Sequence, residues 1–177
     1  MIKRFTIIGI CFLFLNCASL PKYESENLQQ LTEKNITQLN GTYSNFSENS
    51  KSRIYRSFLG RLTSSKIKDS VSEVKIEVLN SKEIRFLFLK NQKEIHSKTV
   101  KYKLQNDGFL LLKNRNFRLH GIPWILGDYE IRKYEIGLSN SGNLVMNGIE
   151  KREGAFLIIF WGPPGKAFKF TDIYSSE

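Results

Sequence analysis

Along most of this chain, apolar and polar residues alternate one by one, and two stretches break that rhythm. The first is at the start, where Phe5 to Leu15 run without a charge behind Lys3 and Arg4. The second lies between Arg53 and Leu62, where Ile54, Tyr55, Phe58, Leu59 and Leu62 recur at the three- and four-residue spacing of an amphipathic helix. Gly60 inside that stripe weakens it by about 1 kcal/mol relative to alanine. From Val71 the period becomes two: Val74, Ile76 and Val78 face away from Glu73, Lys75 and Glu77, as in a half-buried strand.

Ile84–Lys90 follows as a strand with aromatic and aliphatic residues on both faces, with turns expected at Asn80–Glu83 and at Asn91–Lys93. Val100, Tyr102 and Leu104 then oppose Lys101 and Lys103. Asn106-Asp107-Gly108 is a hairpin signal, because Asp-Gly tolerates the positive φ angles such turns need. Phe109–Leu112 follows, then Phe117 and Leu119. Pro123 belongs at an edge or corner, since it cannot donate to a ladder. Tyr129 and Ile131 alternate one residue out of phase with Tyr134, Ile136 and Leu138, which predicts a bulge near Arg132-Lys133. Leu144–Ile149, Ala155–Trp161 and Lys166–Ile173 complete the expected strands, with Gly162–Gly165 a loop between the last two.

The pattern predicts an all-β fold, an antiparallel up-and-down meander of about 8–10 strands with a short N-terminal helix. Short connections make successive strands neighbours, and a long meander rolls up rather than expose two edges. A small barrel or a strongly curved sheet closed by the helix is therefore expected, with an open sandwich as the alternative. The organisation read from the chain is a leader over residues 1–16, a tether over 17–39 and a β domain over 40–177. Leu28, Leu31 and Ile36 suit a short helix docking on that domain.

The apolar run Phe5–Leu15 is shorter than the roughly 18 residues that span a bilayer as a helix, and has the length of a signal-peptide core. It ends in Phe14-Leu15-Asn16-Cys17-Ala18. That ending resembles the lipobox of bacterial lipoproteins, and is similar to the looser Asn-Cys boxes of Bacteroidetes-type and spirochaetal members. Phe14 and Asn16 stand where leucine and a small residue are usual. The resemblance implies cleavage before Cys17, acylation of that cysteine with diacylglycerol and often an N-acyl chain, and a membrane partner. Ala18 rather than Asp follows, which by analogy with enteric sorting rules implies the outer membrane, on the side facing the periplasm.

The only other cysteine is Cys11, so the mature chain would fold without disulfides. A formal charge of +10 falls to +8 without Lys3 and Arg4. Export excludes nucleic acid as the acidic partner and leaves anionic headgroups, or simply the solvated side of strands carrying Lys101, Lys103, Arg115 and Arg118.

Asn40-Gly41-Thr42-Tyr43 ahead of a meander resembles the opening of a lipocalin-like barrel. The stretch GIPWILGDYEIRKYEIGLSNSGNLVM with GAFLIIFWGPPGKAFKF resembles small Bacteroidetes-type lipoproteins over residues 70–174. The second resemblance implies fold and location and brings no activity. With the first it suggests a binding module whose mouth takes an apolar or lipid-like ligand near Trp124, Tyr129 and Trp161. The alternative is a structural or accessory protein of an envelope assembly, with a solid core and an envelope protein as partner. An envelope hydrolase is a third reading.

No catalytic residues, metal ligands or cofactors are assigned. His96 and His120 have no histidine or cysteine at ligand spacing. The acid pairs Glu130/Glu135 and Glu150/Glu153 stand beside Arg132, Lys133, Lys151 and Arg152, and read as surface charge networks.

Overall fold

A computed structural model describes residues 20, 27–48, 57–63, 71–114, 117–122, 126–156 and 167–177, giving strand course alone for 117–122, 126–129 and 152–156. Among the described residues the chain forms one antiparallel sheet. Its strands are β1 (Gly41–Ser44), β2 (Glu73–Val78), β3 (Glu83–Lys90), β4 (Lys93–Leu104) and β5 (Leu110–Leu112), then β6 (Phe117–Ile122), β7 (Leu126–Leu138), β8 (Leu144–Phe156) and β9 (Phe168–Tyr174). The order is β1-β2-β3-β4-β5-β7-β8-β9, with β6 also on β7. Both β5 and β6 pair with β7, Leu112 opposite Tyr134 and Phe117 opposite Ile131. They act as one interrupted strand, so the sheet is an up-and-down meander of eight positions.

The sheet curls into a half-barrel, and its first and last strands touch. Ser44 N donates to Ser175 O at 2.9 Å, Glu177 N to Thr42 O at 3.0 Å and Glu48 N to Ile173 O at 3.0 Å. This seam satisfies backbone groups that an open edge would leave exposed. Curling brings Val74, Ile76, Ile84, Phe86, Phe88, Leu110, Ile136 and Leu144 onto one concave face, where each is fully buried. At about 1.5–3 kcal/mol per large apolar side chain, that face is what drives the curl.

Turn chemistry fixes the register. Asn91 and Gln92 take φ of 50° and 62° between the paired residues Lys90 and Lys93, the positive pair that a tight two-residue hairpin requires. Gly108 takes φ +84°, and a Cβ there would stand 2.9 Å from the backbone nitrogen of Leu31. Glycine thus serves both the turn and the close approach of the N-terminal segment. That segment packs on the sheet: Leu28 bridges Ser139, Gln29 N donates to Leu138 O at 2.8 Å, and Leu31 is buried. A 3-10 turn in it, Ile36–Leu39, buries Ile36 and Leu39.

Three expectations change. Helix α1 covers Phe58–Leu62, where Ser57 Oγ caps it by accepting from Gly60 N; Ile54 and Tyr55 fall outside the described residues. The β7–β8 register runs from Leu126–Phe156 to Leu138–Leu144 without a slip, so there is no bulge at Arg132-Lys133. The phase change arises because the chain's apolar residues change faces along a regular β7. On the other side of β7 the ladder is interrupted opposite Arg132-Lys133, between the Leu112–Tyr134 and Phe117–Ile131 pairs. Finally, β8 continues to Phe156, so Ala155 and Phe156 close that strand rather than opening another, and the rest of the expected strand, residues 157–161, lies outside the described residues.

Candidate functional site

Cys17, Trp124 and Trp161 lie outside the described residues. Tyr129 is placed on β7 opposite Leu119 of β6 and Glu153 of β8, and its side chain is outside the described set. The aromatic rim expected from sequence therefore enters no geometry described below.

The concave side of the sheet is occupied by α1. Phe58 lies between Phe86 of β3 and Tyr174 of β9, with ring centroids 5.3 Å away in each case. Asn45, fully buried, sets the helix there: its Oδ1 accepts from Leu59 N at 3.0 Å, and its Nδ2 donates to Val71 O at 3.1 Å. One turn on from Phe58, α1 directs Arg61 inward.

Arg61 is the centre of the densest polar cluster on this face. Its Nη1 donates to Glu150 Oε1 and its Nη2 to Asp172 Oδ2, both at 3.1 Å. The same Glu150 oxygen accepts from Tyr134 OH at 2.7 Å, and Asp172 Oδ2 accepts from Tyr174 OH at 3.4 Å. The guanidinium lies over the Phe170 ring, 3.5 Å from its centroid. Burial, then the negative charge of Glu150, pushes the Tyr134 hydroxyl far above its ordinary pKa. Burial and Asp172 do the same to Tyr174. Burial also raises the Asp172 carboxyl, against the pull of Arg61. A carboxylate already committed to an arginine and a tyrosine, and 4% exposed in its side chain, is poorly available to a substrate. The cluster is built to hold α1 against β8 and β9.

A second buried carboxyl sits on the opposite face. Glu135 accepts from Asn147 Nδ2 at 3.0 Å and from Gln105 Nε2 at 2.7 Å, while Thr171 donates to Asn147 Oδ1 at 2.9 Å. Burial raises the Glu135 pKa, and the two amide donors oppose that rise. The surface-network reading of the acids thus fails for Glu135, which is buried, while Glu130, paired with Arg132 at 2.6 Å, and Glu150, paired with Arg61, are both half-covered. Sequence carried a signal for the interior cluster: Asp172 alternates with Phe170 and Tyr174, an acid at a core-facing position. His96 lies stacked on Phe88 at 5.8 Å, a half-covered strand residue.

Among the described residues, an open cleft of about 640 Å³ lies at the end of β4. Its walls come from the β2–β3 turn, the β4–β5 region and the segment carrying Glu33, Ile36 and Thr37. Adjacent strands gather four lysines there: Lys82 O accepts from Tyr102 N at 2.9 Å, and Lys113 N donates to Lys101 O at 2.7 Å, with Lys103 two residues further along β4. All four are exposed, and among the described residues none is ion-paired. Val78, Leu79 and Leu104 supply apolar lining. Glu33 is the one acid among the lining residues.

Comparison with protein-family models, with curated proteins and with solved structures found no match to this chain.

Proposed function

We propose that this protein is a lipid-anchored accessory component of a bacterial cell envelope, with a β domain filled by its own side chains and working through its surface. One observation carries the reading: Phe58 of α1 bridges Phe86 and Tyr174 across the concavity, where a ligand-carrying barrel would keep space. The leader and the Cys17 box supply the anchor, since several acyl chains hold a protein stably where one does not. The solid-core alternative is thereby preferred over an apolar ligand in the barrel mouth.

Crosslinking in intact host cells, followed by native mass spectrometry of the purified protein, tests this. The expected result is a crosslinked envelope protein together with a domain free of any co-purified uncharged apolar ligand. Recovery of the monomer alone, or of a stoichiometric uncharged apolar ligand, would overturn it.

A further inference from the structure

The lysines of the β4 cleft are set apart by their gathering at one opening, with no ion pair to any of them among the described residues. By contrast Lys75 pairs with Glu77 at 3.0 Å, and Lys98 donates to Leu62 O and Asn114 Oδ1. Among the lining residues Lys82, Lys101, Lys103 and Lys113 stand against one acid, Glu33, and with Glu83 of β3 opposite Lys101 the opening keeps an excess of two positive charges. Like charges held together on neighbouring strands repel, and they oppose the fold unless an anion offsets them. The apolar lining is exposed as well. Leu79 is 40% accessible, and Val78 and Leu104 are only partly buried against the core. A small inorganic anion would satisfy the lysines and leave that apolar surface wet.

We propose that the cleft binds a phosphate-headed amphiphile, its head among Lys82, Lys101, Lys103 and Lys113 and the first carbons of its tail against Val78, Leu79 and Leu104. The source we assign is the anionic lipid of the leaflet that holds the anchor, an assignment that rests on the lipid-anchored reading above. Chain length fits it. The ten residues from Cys17 to Asn27 reach at most about 35 Å, and the cleft wall at Glu33–Thr37 follows within a few residues of that tether. Lysines near an anionic surface each contribute to holding the domain against it.

The test uses protein purified from its host and reconstituted through its anchor into phosphatidylcholine nanodiscs. It is titrated calorimetrically with dihexanoyl phosphatidic acid, dihexanoyl phosphatidylcholine and inorganic phosphate. Saturable binding of the phosphatidic acid is expected, with the other two at least about tenfold weaker. Lys101→Gln/Lys103→Gln, both exposed sites, should weaken binding about tenfold or more, while Lys75→Gln should leave it unchanged. Absence of saturable binding, equal loss in the Lys75 variant, or phosphate binding as tightly as the lipid would each overturn the proposal. Anchoring is read separately, by entry into the discs. A chain that stays out of the discs yet binds phosphatidic acid in buffer counts against the anchor alone.

Discussion

Nη2 of Arg61 lies 3.1 Å from Oδ2 of Asp172, a contact between side chains only 2% and 4% exposed and 111 positions apart in the chain. It ties the one described α-helix to the last strand. Through Tyr43 and Ser176, that strand's extension also meets the first strand. Arg61 is therefore expected to control how firmly the curl is held closed.

Replacing Arg61 by alanine leaves Asp172 and Glu150 facing each other with no cation between them. Removing one member of a buried pair costs about 3–5 kcal/mol. Urea unfolding of Arg61→Ala should show a loss of that size. A neutral replacement of all three charges, Arg61→Met with Asp172→Leu and Glu150→Gln, should recover much of it, because the desolvation cost disappears with the cluster. A loss below about 1 kcal/mol in the single variant would mean that α1 is held by its apolar contacts alone.

The raised carboxyls give stability a sign with pH. Glu135 and Asp172 both bind a proton more tightly folded than unfolded, because burial disfavours their charged forms. Their contribution is full below the unfolded carboxylate pKa of about 4 and is lost as pH rises through the higher folded values. Unfolding free energy should therefore fall as pH climbs from that point towards neutrality. Glu135→Gln should flatten part of the slope, with Gln105 free to turn its amide. Denaturant titrations at stepped pH measure both slopes.

Gly148 lies under the Phe170 ring. A Cβ there would overlap Phe170 and stand 2.9 Å from Cδ1 of Tyr134. Phe170 has little freedom to yield, since the Arg61 guanidinium covers it. Gly148→Ala should cost about 1–3 kcal/mol through overpacking. At Gly142, φ +84° but with nothing within 4 Å, the same change should cost only the backbone strain of about 1 kcal/mol. Thermal unfolding of the two variants side by side separates steric from conformational need.

The strands β2 and β4 were legible because apolar and charged residues alternate along them, and the β3–β4 turn because Asn91 stands at one of its two positive-φ positions, with Gln92 at the other. The out-of-phase aromatics of β7 misled, because side-chain pattern was taken to report backbone register. The β7–β8 ladder stays regular while the apolar residues swap faces. Arg61 could have been noticed as a charge three residues after Phe58, on the helix face that should be apolar. Its partners Glu150 and Asp172 lie 89 and 111 positions away, and no local pattern joins residues so distant. The lysine cleft was half visible, with Lys101 and Lys103 alternating along one strand. The approach of Lys82 and Lys113 exists only once β3, β4 and β5 are paired.

Intact-mass spectrometry of the protein purified from host membranes tests the anchor most directly. The predicted species is residues 17–177 carrying at least a diacylglycerol on Cys17. A full-length chain with its leader retained, or a chain beginning at Cys17 with a bare thiol, would contradict it.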